Sequence, residues 1–214
     1  GAPMPGGVAF PTTGEPLRLP FPAASAVRVS AAYGPSAGSS LHTNLAVSDR
    51  GNDYYALDLV YDGYADGGRG MPIVAALSGT VVRAGWATAG WSNFGQRVIL
   101  RHDLGDGRVY HTLYAHLNAI DAGVIEGAVV RQGQALGELG GSCMGALSCS
   151  SFSLPHLHFS VHRDSMIGGS GTGGSYGGNA VVPEPIDGYE DLARGRVLTS
   201  MNTGGPPVCG DGLC

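Results

Sequence analysis

The run Leu154-Pro155-His156-Leu157-His158-Phe159-Ser160-Val161-His162 alternates polar and apolar residues, the mark of a β-strand with one buried face. Successive strand side chains point to opposite faces, so His156, His158 and His162 project from the same one. Around this run the chain is built of short apolar stretches cut by turn residues. Glycine is its commonest residue at 37, and there are 13 prolines, a composition that suits an all-β fold with many turns. At 214 residues the chain is long enough for one well-buried domain.

Residues 1–16, rich in glycine and proline, read as an extended lead-in, residues 17–200 as the folded domain and residues 201–214 as a tail. Strands are expected over Ala26–Tyr33, Tyr54–Tyr61, Arg97–His102 and Arg108–Leu117, and as two short strands across Gly127–Gly137. Met71–Leu77 and Thr80–Trp86, on either side of a Ser-Gly turn, read as a hairpin. Ser36–Asp53 is a polar, turn-rich loop and Gly168–Gly178 a flexible glycine-rich one. The only helical stretch expected is a short one near Tyr189–Ala193.

The net charge is −5, and all 12 cations are arginine. An acidic chain without a basic cluster is a poor nucleic-acid binder, and no polybasic segment suits it to an anionic membrane. No apolar run approaches the ~20 residues of a membrane span. The Gly127–Gly137 pattern resembles the hairpins of lipoyl-carrier-like folds, but without lysine the chain is no lipoyl or biotinyl carrier. The cysteines fall in close pairs, Cys143/Cys149 and Cys209/Cys214, neither with Cys-x-x-Cys spacing. Two short-loop disulfides are expected, which places the chain in a secreted, periplasmic or extracellular setting; separately, a monomer is expected. Cys209-Gly-Asp-Gly-Leu-Cys214 resembles the opening of a Cys-rich extracellular repeat, so a continuation beyond it is expected.

Several polar groups sit oddly in this pattern. Asp58 is the one charge inside the apolar run Tyr54–Tyr61, where a carboxylate is costly unless paired or metal-bound. His42 stands in a loop, His116 near a strand end, and His156 and His158 share one strand face. One carboxylate and two imidazoles form a normal ligand set for catalytic zinc, with water in the fourth position. There is no His-Glu-x-x-His helix, and His111 and His116, five apart on a strand, face opposite sides.

Three ordered segments carry a resemblance: Ser40-Leu41-His42 followed by Tyr55-Ala56-Leu57-Asp58, then Leu113-Tyr114-Ala115-His116-Leu117, then Leu154-Pro155-His156-Leu157-His158-Phe159. With Pro72-Ile73-Val74-Ala75-Ala76 and Gly79-Thr80-Val81-Val82, they make the chain similar to the lysostaphin/LytM-type zinc endopeptidases from about Leu17 to Val161. The fifteen residues between His42 and Asp58 resemble the β-lytic arrangement, and His102 or His111 is the alternative to His42. The resemblance implies an all-β fold of packed antiparallel sheets, like a duplicated hybrid motif, with long loops around a metal cleft. It implies zinc (Zn2+) on His42, Asp58 and His158, with His116 and His156 as catalytic histidines. Tyr114 is read as an aromatic packed in the core, with the cleft as its alternative, His162 as a residue of the cleft rim or behind the ligands, with a solvated surface as its alternative, and His102 and His111 as structural. The implied substrate is the peptide cross-link of bacterial peptidoglycan, cut at glycine or another small residue. The alternatives are a non-catalytic binding or regulatory module of the same kind, and a proteinase of glycine-rich extracellular proteins.

Overall fold

A computed structural model of the chain describes residues 7–34, 42, 53–88, 91–165 and 179–204. Ser40 and Leu41, the Gly168–Gly178 loop and the Cys209/Cys214 pair lie outside the described residues. Among the described residues the strands are β1 (Val8–Ala9), β2 (Ala26–Ala31), β3 (Leu57–Tyr61), β4 (Pro72–Val74), β5 (Gly79–Trp86), β6 (Gln96–Asp103), β7 (Val109–Leu117), β8 (Ala119–Ile120), β9 (Val129–Val130), β10 (Ala135–Glu138), β11 (Leu157–Arg163), β12 (Asn179–Val182) and β13 (Val197–Thr199). A large sheet runs in the order β13-β2-β3-β11-β7-β6-β5-β9, and a small one in the order β4-β10-β8. Every pairing is antiparallel except that of β1 with β12. The fold is all-β, as expected.

The His-x-His run sits at the centre of this sheet. One edge of β11 lies along β7, with His158 opposite Ala115 and His162 opposite His111. The other edge is divided, its first half on β3, where His158 faces Asp58, and its second half on β12. Leu157, Phe159 and Val161 turn into the main core with Tyr114, Val98 and Leu100. The alternate face is buried too: His158, Ser160 and His162 are 3%, 1% and 0% exposed. Such burial of a polar face demands partners for each group, and this demand shapes the site.

Two expectations need correction. Met71–Leu77 and Thr80–Trp86 are not partners, since β4 pairs with β10 in the small sheet and β5 with β6 and β9 in the large one. The backbone between them is taken by the 131–134 turn: Ala75 N donates to Gln134 O at 2.9 Å, Gly133 N to Ala75 O at 2.8 Å, and Gln132 Nε2 to Ala76 O at 2.8 Å. For the same reason β9 and β10 diverge into different sheets. No helix forms at Tyr189–Ala193. Asp187 (φ 49°) and Gly188 (φ 77°) make a tight turn that brings Ile186 against Tyr189, and Asp191 (φ 62°) keeps the chain from helical dihedrals. Within the lead-in, Val8–Ala9 joins the sheet beside Val181–Val182 and Phe10 is buried.

Candidate metal centre

The β2–β3–β11–β7 order brings the predicted residues to one place. Asp58 Oδ1 lies 3.1 Å from His158 Nδ1 and 3.4 Å from His42 Nε2. The three donor atoms of His42, Asp58 and His158 lie within 4.8 Å of one another, a group able to hold a metal ion. His156 Nε2 is 3.7 Å from the same carboxylate oxygen, and the His116 ring stands 4.9 Å from that of His156 and 5.8 Å from that of His158.

Backbone carbonyls orient three of the four rings. His42 Nδ1–H donates to Ala32 O at 2.8 Å, which leaves Nε2 bare toward Asp58. His116 Nδ1–H donates to Ser142 O at 3.0 Å, and His156 Nδ1–H to Leu154 O at 2.8 Å. Each of these bonds fixes the tautomer and directs an Nε2 lone pair at the cleft. His158 differs, because it is gripped from both sides: Nδ1 by Asp58, and Nε2 by Asp53 Oδ1 at 3.5 Å. A carboxylate behind a ligating imidazole is the usual device for orienting it and raising its basicity.

The charges follow from these contacts. Burial lowers the His158 basicity, but the Asp53 and Asp58 carboxylates outweigh it and lift the ring to about 10. Burial raises Asp58 in turn, and hydrogen bonds from His158 and His42 with the nearby His156 reverse this, holding the carboxyl well below its ordinary range. Asp53 is lowered in the same way, its burial opposed by His158, His162 and His42. Two carboxylates thus stabilise one positive charge at His158, and a metal cation would take the place of that proton. His116 is driven the other way, to about 3, by burial and then by the His156 and His158 rings. It is neutral.

His116 reaches the cleft by a break in its strand. On β7 the even residues Tyr110, Thr112 and Tyr114 alternate with the odd face that carries Ala115 beside His158. Strict alternation would send His116 into the core. Its left-handed backbone, φ 64°, turns it to the site instead, a strained conformation that surrounding structure must enforce. Ser142 supplies that enforcement, its N–H donating to His116 O at 3.3 Å as its O accepts from the ring. Ser142 is pinned by its Oγ accepting from Gln96 N at 2.9 Å, and it adjoins the Cys143–Cys149 disulfide. The expected bond is present. Gly95 (φ 63°) packs on Ser142 so closely that a Cβ there would lie 2.2 Å from Ser142 O. Aromatic rings wall the cleft: Phe152 lies 4.5 Å from His116 and 4.8 Å from His156, and Phe94 5.4 Å from His158.

Other candidates fall elsewhere. Tyr114 does not line the cleft: fully buried in the core, its hydroxyl accepts from Ala76 N at 2.8 Å. His162 is also buried, behind the site, near enough to Asp53 to favour that carboxylate's charge. His102 is structural, its Nδ1–H donating to Ser78 O at 2.7 Å and its Nε2 2.8 Å from Thr112 Oγ1. His111 pairs with His162 across the sheet, four rungs from His158. Asp53 and Ser142 escape a reading of the sequence. The turn closed by Ala56 N donating to Asp53 O folds Asp53 back behind His158, and Ser142 acts through its main chain.

Fold and site together define an all-β protein with a mixed imidazole and carboxylate group able to hold a metal ion. Residues 64–169 match peptidase family M23; His116, His156 and His158 fall inside that span, His42 and Asp58 before it. The chain is similar to L-Ala–D-Glu endopeptidase of Bacillus subtilis (strain 168), 32% identical over 95 residues, covering 44% of this chain and 27% of that protein. The chain therefore spans about a quarter of that relative's length. Similar solved structures include the catalytic domain of lysostaphin, an antimicrobial peptidase from Staphylococcus simulans, at 24% identity and TM-score 0.41, covering 66% of this chain and 81% of that one. Another is Csd3 of Helicobacter pylori, at 21% identity and TM-score 0.44, covering 87% and 35% respectively.

Proposed function

We propose that the chain is a secreted zinc-dependent endopeptidase. Its substrates are peptide bonds in the cross-links of bacterial peptidoglycan, with glycine or another small residue on at least one side of the cut. The observation that carries the reading is the division of labour among five convergent side chains. Two imidazole nitrogens and a carboxylate oxygen lie within 4.8 Å of one another, and two further histidines with bare Nε2 atoms stand beside them. His42, through Nε2, Asp58, through Oδ1, and His158, through Nδ1, would hold the ion. When bound, zinc polarises the scissile carbonyl and acidifies a water molecule.

The rest belongs to the chain. His116 and His156, each fixed at Nδ1 by a backbone carbonyl, present Nε2 to the cleft. Between them they take the proton from the attacking water and return one to the leaving amine. Whichever ring is protonated at the moment of attack faces the developing oxyanion as a hydrogen-bond donor. Phe152 packs against both rings and narrows the approach, which favours small residues at the cut. The Cys143–Cys149 bond supports a site of action outside the reducing cytoplasm. The activity of the B. subtilis relative, an L-Ala–D-Glu endopeptidase by name, supports a cell-wall peptide as substrate.

The test is zinc content beside turnover. Asp58→Ala and His158→Ala should lose stoichiometric zinc, whereas His116→Ala and His156→Ala should keep it and lose about 10²- to 10⁴-fold in kcat. Loss of zinc from His116→Ala would overturn these roles.

A further inference from the structure

The two sides of the proposed metal centre are chemically unlike. Beyond His116 and His158 lies an apolar pocket of about 170 Å³, walled by Phe94, Phe152, Met144 and the Cys143–Cys149 disulfide. On the other side, beyond Asp58 and His156, a polar pocket of about 260 Å³ is lined by Ser30, Arg28 and Arg194. Nothing in the proposed hydrolysis uses either arginine.

Arg28 is committed, its Nε 3.2 Å from Asp62 Oδ1. Arg194 is different. Its Nε donates to Ser30 O at 3.1 Å, and its two terminal nitrogens have no partner among the described residues. The turn that carries it is tied to β2, with Gly195 N donating to Val29 O at 2.7 Å and Val29 N to Arg196 O at 2.9 Å. Ser30 is the extra residue of a β-bulge, lying between the paired Val29 and Ala31. Its carbonyl holds Arg194 while its hydroxyl donates to Asp58 O at 3.0 Å. One residue thus joins the guanidinium to the strand that bears a proposed metal ligand. The negative group in this pocket, Asp58, is engaged by three histidines.

We infer that Arg194 anchors a substrate carboxylate, so that the enzyme takes peptides with a free carboxylate close to the scissile bond on the His156 side. A guanidinium whose two terminal nitrogens are unengaged among the described residues matches the two oxygens of a carboxylate, a geometry that lysine reproduces only as a point charge. The apolar pocket opposite offers a carboxylate no such partner, so the asymmetry also sets the direction in which the peptide lies. The carboxylate belongs either to an acidic side chain or to a chain end. The inference deepens the endopeptidase reading and rests on it for the place of the scissile bond.

The experiment is calorimetric binding of the zinc-loaded protein to short peptides whose central amide is N-methylated, so that affinity is read without turnover. One pair carries Glu or Gln beside that amide, and a second pair ends there as free acid or as amide. The expected result is about five- to tenfold tighter binding of the acid in at least one pair, the modest figure reflecting an exposed arginine. Arg194→Gln should bring the ratio to about one, Arg194→Lys should retain part of it, and added salt should shrink it. The pair that responds identifies the source of the carboxylate. Equal binding of acid and amide in both pairs, or a preference that survives in Arg194→Gln, would overturn the inference. A peptide bound through Arg194 whose unmethylated counterpart is left uncut would contradict the endopeptidase reading and leave the carboxylate subsite standing.

Discussion

His158 is the residue on which the rest of the site closes, because carboxylates grip both of its nitrogens. Asp58 meets Nδ1 at 3.1 Å and Asp53 meets Nε2 at 3.5 Å. Asp53 is thereby assigned a positioning role rather than a catalytic one. Asp53→Asn keeps the shape and removes the charge, and it should weaken zinc affinity by about 10- to 100-fold, measured by competition with a chelator. Unchanged affinity would reduce Asp53 to a packing residue. At this scale the sequence was informative where an oddity was visible. Asp58 stood out as a charge in an apolar run, and His156 and His158 as a pair on one face. Asp53 gave no signal, since it is one acid among the polar residues of a loop and acquires meaning only when a turn folds it back. Ser142 gave none either, because the atom that orients His116 is a main-chain oxygen, which every residue possesses.

Among the elements, β11 and the end of β7 build the site, and the loop stapled by Cys143–Cys149 keeps it in order. That loop contributes to stability only as a short closure does, about 2 kcal/mol for a ring of this size. Its larger effect is on Ser142, and through it on the strained backbone of His116. Cys143→Ser with Cys149→Ser should lower Tm by a few degrees, keep zinc bound, and reduce kcat more than it changes KM. A kcat equal to that of the parent protein would show that the staple does not position His116. Gly95→Ala should have the same signature without touching the cysteines, since the new Cβ would push directly on Ser142 O. The strands themselves were legible from alternation and turn residues. Their partners were not, because β4 and β5, like β9 and β10, follow one another in the chain yet enter different sheets. Local pattern reports which residues are extended, whereas the sheet that each joins is decided by long-range bonds such as Gly133 N to Ala75 O. The helix expected at Tyr189–Ala193 failed for a related reason: Asp187 spends its carboxylate on Leu19 N and Met201 N, in a turn a helix would destroy.

The whole molecule buries histidines in opposite states. His102 and His111 are pushed to about 4 by burial, with Arg101 also disfavouring the cation, and His116 to about 3, all from an ordinary 6.5. A histidine whose folded pKa is depressed stabilises the fold fully above 6.5, and that contribution drains away as pH falls toward the folded value. The depressed Asp58 and Asp53 act in the same direction at lower pH. Calorimetric Tm should therefore fall steadily between about pH 6.5 and pH 4, and a flat profile across that window would contradict the buried neutral state of these rings. The proposed metal-dependent hydrolysis of cell-wall peptide by this all-β molecule is read by counting new amino termini. Purified peptidoglycan is incubated with the zinc-loaded protein, with the protein stripped by a chelator, and with the stripped protein given zinc again. New amino groups should accumulate with the first and third and stay at background with the second. Release that persists in the stripped protein, or its absence from all three, would rule out a metal-dependent hydrolase of cell-wall peptide.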